Sequence, residues 1–307
     1  MDTHPLAGVY AAAITPLNPD YTLDPGGLVS LLDFLARRGC HGALLLGTTG
    51  EGPSFSSAER REIIRAAQGA RRLRTDFRIL AGTGTPSLEE TIALTREAFD
   101  LGCDGVLVLP PYYFRNASED GLFTWFSEVL RKGVPEDGAL LGYHIPGVSG
   151  VPLSLDLITR LKDAFPHRFA GLKDSSADPD HARVPGERFG DDLLILNGTD
   201  RLLTLALEAG AGGCITALAN LTSPDLRRVW DAHLAGKTDA VAQASLNTAR
   251  DVLEKYPPAA PLLKALLARL HDFPRWAVKP PLTLLGKQTE ERAALHWRTR
   301  GKVVLGV

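Results

Sequence analysis

Of the nine lysines in the chain, only Lys173 directly closes a short apolar run, Phe169-Ala170-Gly171-Leu172. An amine at the buried end of such a run has little water to support its ammonium form, and the freed lone pair can attack a carbonyl carbon to make a Schiff base. A plainer role stands beside that one: Lys173 could be the buried charge partner of Glu51, Asp174 or another carboxylate. Lys132, Lys162, Lys237, Lys255, Lys264 and Lys302 fall in helical, polar or terminal stretches, where solvated surface positions are expected. Lys279 and Lys287 flank Pro280-Pro281, far in sequence from any strand end, and are given no catalytic part.

Two more patterns could serve an imine. Tyr143 ends the apolar run before that of Lys173, so its phenol could stand beside the amine and move protons, or simply pack as an aromatic in the same place. Thr48 and Thr49 sit between Gly47 and Gly50, a turn whose backbone N–H groups and hydroxyls could converge on a small carboxylate. The same residues would also suit an ordinary glycine-rich turn with helix-capping threonines.

The elements that must position these groups come from a unit repeated about every 25–35 residues: a short apolar run, a Gly-, Pro- or hydroxyl-rich turn, then an amphipathic stretch. Strands are expected at Val9–Ile14, Gly42–Leu46, Arg78–Ala81, Gly105–Leu109, Leu140–Ile145, Phe169–Leu172, Leu193–Leu196 and Gly213–Ala217. Runs this apolar suit parallel strands buried on both faces. Helical spacing follows in Leu28, Leu31, Leu32, Leu35 and in Ile92, Leu94, Ala98, Phe99, with start signals at Ser57 and Ser118.

Eight βα units fit a closed (β/α)8 barrel spanning residues 1–236, with chemistry at the C-terminal ends of the strands. Gly82-Thr83-Gly84 lacks the third glycine of a dinucleotide fingerprint, which weighs against an open doubly wound sheet. Residues 237–307 read as a helical appendage broken at Tyr256-Pro257-Pro258 and Lys279-Pro280-Pro281. Its apolar face, Leu262, Leu263, Leu266 and Leu267, must be covered by the barrel or another subunit.

With 307 residues, 44% hydrophobic and 23% charged, the chain can bury a large core, and its formal charge of −2 argues against a nucleic-acid partner. The opening Met1-Asp2-Thr3-His4 has no signal-like character, so a cytoplasmic location is expected. The most membrane-like window, Leu202 to Leu221, contains Glu208, Asn220 and several glycines, and reads as a buried helix, turn and strand rather than a span. Cys40, Cys103 and Cys214 are far apart in sequence and are expected as buried thiols without a bridge or a metal.

Leu46-Gly47-Thr48-Thr49-Gly50-Glu51, Pro111-Tyr112-Tyr113, Tyr143-His144-Ile145-Pro146, Gly171-Leu172-Lys173-Asp174 and Asn197-Gly198-Thr199-Asp200, in this order, resemble the dihydrodipicolinate synthase/N-acetylneuraminate lyase family of pyruvate-dependent class I aldolases, from about Leu6 to Gly286. The resemblance implies a Schiff base with pyruvate on Lys173 and acid/base work by Tyr143. It implies a hydroxyl relay through Thr48 and a Tyr113 lent by a neighbouring subunit, with the pyruvate carboxylate held at Thr49. It further implies a homotetramer built as a pair of dimers and no metal or organic cofactor. Gly47, Gly198, Asp200 and Thr216 at strand ends, with Val148, Ser149 and Arg201 nearby, are the candidate substrate contacts.

Departures from the family bear on the substrate. Synthases that condense pyruvate with aspartate semialdehyde normally carry an arginine where Val148 stands here, and losing a charge-assisted carboxylate pair costs about 2 to 5 kcal/mol. His144 replaces the usual asparagine, as a histidine satisfied by backbone or as a substrate contact. Feedback-regulated synthases carry His, His and Asn where Ser57, Arg60 and Pro86 stand, so lysine inhibition of that kind is not expected. Asp200 matches the sialic-acid lyases but Arg201 does not; it is either a surface arginine or a reader of a distal substrate group. The expected activity is cleavage of a 4-hydroxy-2-oxo acid of the 2-keto-3-deoxy sugar acid type to pyruvate and an aldehyde. Dihydrodipicolinate synthesis, N-acetylneuraminate cleavage and non-catalytic keto-acid sensing are the alternatives.

Overall fold

The computed structural model describes residues 4–300. Eight strands close into a barrel in chain order: β1 Gly8–Ala12, β2 Gly42–Leu45, β3 Arg78–Gly82, β4 Gly105–Val108, β5 Leu140–His144, β6 Phe169–Asp174, β7 Leu194–Asn197 and β8 Gly213–Thr216. Every expected strand is present, with ends moved by one or two residues. The consequential shift is in β6, which runs through Lys173 to Asp174, so the amine belongs to the ladder itself rather than to the turn after it. Nearly all strand residues are buried, as parallel strands covered on both faces must be.

Helices follow the strands, and several begin on side-chain caps. Asp24 accepts from Gly27 N–H ahead of Pro25, Ser118 from Gly121 N–H, and Asp178 from Asp180 N–H ahead of Pro179. The second helix, Ser57–Arg71, corrects the expected start by one residue: the cap is Ser56, in a reciprocal capping box with Glu59. Leu28, Leu31, Leu32 and Leu35 are fully buried, as their spacing predicts.

The chain divides into two compact units. One joins the N-terminal residues up to Gly8 with Arg78–Ile215 and contains the continuous ladder from β3 to β7. The other joins Val9–Phe77 with Thr216 onward and contains the pairing of β1 with β2. In it, helices Ala240–Lys255 and Ala259–His271 pack with helix Ala219–Leu234, and Lys287–Thr299 packs with the first two. Leu262, Leu263, Leu266 and Leu267 are buried there. The break at Tyr256-Pro257-Pro258 is as expected, whereas the second is wider: residues 272–286 contain no helix.

The window Leu202 to Leu221 folds as a short helix, a turn and β8, and no helix among the described residues is long and apolar enough to cross a membrane. Cys40, Cys103 and Cys214 are all buried and unbridged; burial pushes the Cys40 thiol up to about 12, leaving it inert as a nucleophile.

Candidate active site

β5 and β6 run in parallel register with Tyr143 opposite Lys173 and His144 opposite Asp174. Because side chains alternate faces along a strand, one rung faces the barrel interior and the next faces the surrounding helices. The Lys173–Tyr143 rung is the inner one. Lys173 Nζ donates to the Tyr143 hydroxyl at 3.2 Å and lies 4.3 Å from its ring centre, and the two residues are each 4% exposed. A nucleophilic amine and a proton-carrying phenol in hydrogen-bond contact can together make and hydrolyse an imine. The carboxylates that could have paired with Lys173 are engaged elsewhere: Glu51 binds Lys264, and Asp174 faces His181.

The next rung carries His144 and Asp174 to the helix side, where helix Pro179–Phe189 presents His181. The two imidazoles stack, with centroids 4.0 Å apart and planes 8° apart, and His181 Nδ1 lies 3.2 Å from Asp174 Oδ1. His144 Nδ1 accepts the Leu153 N–H at 3.1 Å, which satisfies this histidine by backbone, one of its two expected readings. Burial, then the neighbouring His181 charge, lower His144 from 6.5 to about 4. The Asp174 carboxylate raises His181 against the cost of its own burial.

The signs fix a stability prediction. His144 is depressed on folding, so its contribution is complete above pH 6.5 and is lost as pH falls from 6.5 towards about 4. His181 is raised, so its contribution is complete below 6.5 and is lost as pH rises past its elevated value. In urea unfolding, wild type will lose stability relative to His144→Asn between pH 6.5 and 5, on the scale of about 1.4 kcal/mol per pKa unit. A constant difference across that range would contradict the assignment.

The Thr48-Thr49 turn lies in the other unit and is tightly built. Leu46 and Glu51 both adopt left-handed backbone, with φ of 58° and 60°. Such conformations in non-glycine residues persist only where surroundings enforce them. The enforcement comes from Glu51: one carboxylate oxygen takes Lys264 Nζ at 2.6 Å and the other takes the Lys279 N–H at 2.9 Å. Arg60, buried, donates to Gly52 O at 2.8 Å and Phe55 O at 3.2 Å. Gly50 has no room for a side chain, since a Cβ would meet Ala13 O at 2.7 Å. Within this frame Thr49 is buried and Thr48 exposed.

Lys264 therefore corrects the surface expectation: it is fully buried. A lone cation inside Pro261-Leu262-Leu263-Lys264-Ala265-Leu266-Leu267, apolar all round, was the available signal for a buried pair. Lys132, Lys237 and Lys255 are exposed and Lys162 half-buried, whereas Lys302 lies outside the described residues.

The remaining candidates have varied surroundings. Gly198 N–H donates to Asp174 O at 2.6 Å, and a Cβ there would meet that oxygen at 2.7 Å, so glycine lets the β6 and β7 ends close together. Asp200 is buried and Arg201 half-buried on the turn that follows. Thr216 Oγ1 accepts the Ala219 N–H at 3.2 Å and acts as a local cap. The Ser149 hydroxyl is committed to its own loop, 2.9 Å from Val151 O, and can affect a substrate only by shaping that loop. Val148 and Tyr113 are 61% and 78% exposed.

Residues 5–297 match the dihydrodipicolinate synthetase family. The chain is 42% identical to an uncharacterized DapA-like lyase of Chloroflexus aurantiacus, over 94% of each sequence. Its fold is similar to that of dihydrodipicolinate synthase from Agrobacterium tumefaciens, with a TM-score of 0.86, 32% identity and coverage of 96% of this chain and 99% of that one. It is also similar to YagE from Escherichia coli K12, solved in complex with pyruvate, with a TM-score of 0.89, 25% identity and coverage of 96% and 98%. The chain thus belongs to the dihydrodipicolinate synthetase family of barrel lyases and aldolases.

Proposed function

We propose that this chain is a class I aldolase that cleaves a 4-hydroxy-2-oxo acid to pyruvate and an aldehyde. The observation that carries the reading is the buried 3.2 Å contact between Lys173 Nζ and the Tyr143 hydroxyl. Lys173 adds to the C2 carbonyl, and loss of water gives an imine. Tyr143 takes the proton from the C4 hydroxyl; the C3–C4 bond breaks, its electron pair enters the imine as an enamine, and the aldehyde leaves. Protonation at C3 and hydrolysis release pyruvate and restore the amine. The protonated imine is itself the electron sink, so the chemistry calls for no metal or organic cofactor.

In this scheme Thr49 and the amides of its turn hold the pyruvate carboxylate, and Thr48 relays protons with Tyr143 and a Tyr113 from a second subunit. The exposed aromatic pair Tyr113 and Phe114, 78% and 59% accessible, supports a homo-oligomer, which we propose is a dimer of dimers working in the cytoplasm. Val148, apolar and 61% exposed, favours a 2-keto-3-deoxy sugar acid over aspartate semialdehyde, whose carboxylate an apolar side chain cannot pair.

Borohydride reduction with labelled pyruvate tests the reaction class, and a panel of aldehydes that includes aspartate semialdehyde tests the substrate. A labelled Lys173 peptide is expected; a wild-type enzyme that traps nothing would overturn the reading. Tyr143→Phe will still be trapped, but with turnover down about 10²- to 10⁴-fold, the usual worth of a positioned acid/base. Turnover at the wild-type rate would remove Tyr143 from the mechanism.

A further inference from the structure

The polar cluster on the outer face of β5 and β6 has no part in the scheme above, yet it grips the strand positions next to Tyr143 and Lys173. His144 is the ladder partner of Asp174, one residue beyond the Tyr143–Lys173 rung. The Asp174 carboxylate also binds the Ser176 N–H at 3.0 Å and the Ser176 hydroxyl at 3.1 Å, while its backbone carbonyl takes the Gly198 N–H at 2.6 Å. His144 holds the Leu153 N–H at the far end of the Pro146–Ser149 loop. The ends of β5 and β6 therefore meet at these two side chains, with β7 joined through the Asp174 backbone carbonyl, and His181 faces the Asp174 carboxylate, which together with Asp178 favours its protonated form.

Two histidines and an aspartate with ligand atoms within 4.8 Å suggest a metal, but the ring geometry does not. Lone pairs of imidazole nitrogens lie in the ring plane, and two rings stacked 4.0 Å apart and 8° from parallel aim theirs along parallel planes that cannot meet on one ion. His144 Nδ1 is in addition already occupied by the Leu153 amide. What the arrangement does satisfy is a charge: Asp174 is 3% exposed, and a buried carboxylate without a counter-ion is costly.

We propose that His181 is a positioning residue for the reaction. Its ring, packed flat on His144 and paired with Asp174, holds the strand ends so that the amine of Lys173 and the phenol of Tyr143 stay in contact. This rests on the imine reading of Lys173. The action is indirect, since His181 stands on the opposite side of the strands from the reacting atoms. A misplacement of about 1 Å can cost on the order of 100-fold in rate, so a clamp at the adjacent ladder position has leverage over the chemistry.

His181→Phe keeps a flat ring but leaves Asp174 unpaired, whereas His181→Arg offers a planar cation that can both stack and pair. Imine formation is followed with pyruvate and borohydride at saturating pyruvate, together with hydrogen exchange in peptides covering residues 145–153 and 173–178. His181→Phe should slow imine formation about tenfold or more with the pyruvate KM changed by less than about twofold, and should raise exchange in those two segments alone. His181→Arg should restore the rate to within about threefold.

Wild-type rate and exchange in His181→Phe would overturn the proposal. So would a loss that His181→Arg shares, or exchange raised throughout the chain, because either would mark a general packing role. If wild type forms no adduct, the imine reading fails on its own. Exchange then decides the clamp: unchanged protection at 145–153 and 173–178 refutes it, and a local rise that His181→Arg reverses supports it.

Discussion

Lys173→Ala will form no borohydride-stable adduct with pyruvate and will lose turnover by at least about 10⁴-fold, which is more than about 5 kcal/mol of barrier. The size follows from the chemistry. Without the amine there is no covalent electron sink for C3–C4 cleavage, and Tyr143 has no imine to serve. Lys173→Arg should be equally inactive, because a guanidinium does not condense with a ketone under these conditions. Lys173→Met, closer in shape, separates lost chemistry from lost folding and should melt near the wild-type temperature while remaining inactive. A keto-acid sensor would behave differently: wild type would bind pyruvate reversibly and escape trapping. Full activity in Lys173→Ala would end the aldolase assignment outright.

Local patterns made the barrel legible in the sequence. Short Val-, Ile- and Leu-rich runs suit buried parallel strands, and eight of them in series fit a closed barrel better than an open sheet. Lys173 and Tyr143 were visible for the same reason, since each ends such a run. The supports were harder to see, because they depend on long-range pairs. Glu51 and Lys264 are separated by 213 residues, and nothing around Glu51 names its partner. His181 looks like an ordinary helix residue until β5 and β6 bring His144 and Asp174 beneath it. Ser56 and Ser57 are chemically equivalent as caps; the choice between them is made by Glu59, whose carboxylate reaches back to the Ser56 N–H at 2.8 Å.

Lys264→Ala will be among the most destabilising single substitutions in the chain, costing about 3–5 kcal/mol. Both side chains of the Lys264–Glu51 pair are 0% exposed, so the variant strands a carboxylate with no water to solvate it. It also frees Ala277 O, which Lys264 Nζ binds at 2.5 Å, and so loosens the segment that delivers the Lys279 N–H to the same carboxylate. Burial pulls the Lys264 ammonium below the ordinary lysine range, with Glu51 opposing that pull, which identifies Glu51 as the charge that keeps the ammonium in place. The expected drop in melting temperature is about 6–10 °C. Lys264→Met combined with Glu51→Gln removes both charges at nearly constant volume and should recover much of the loss, since burying a matched ion pair gains little over burying neutral groups. The same contacts enforce the left-handed backbone at Glu51. Under the proposed scheme, therefore, the 47–52 turn of the double variant should hold pyruvate less well while the amine reacts as before. The pyruvate KM should rise with trapping at saturating pyruvate intact. A double variant as unstable as Lys264→Ala would show that shape at this site, rather than uncompensated charge, governs the loss.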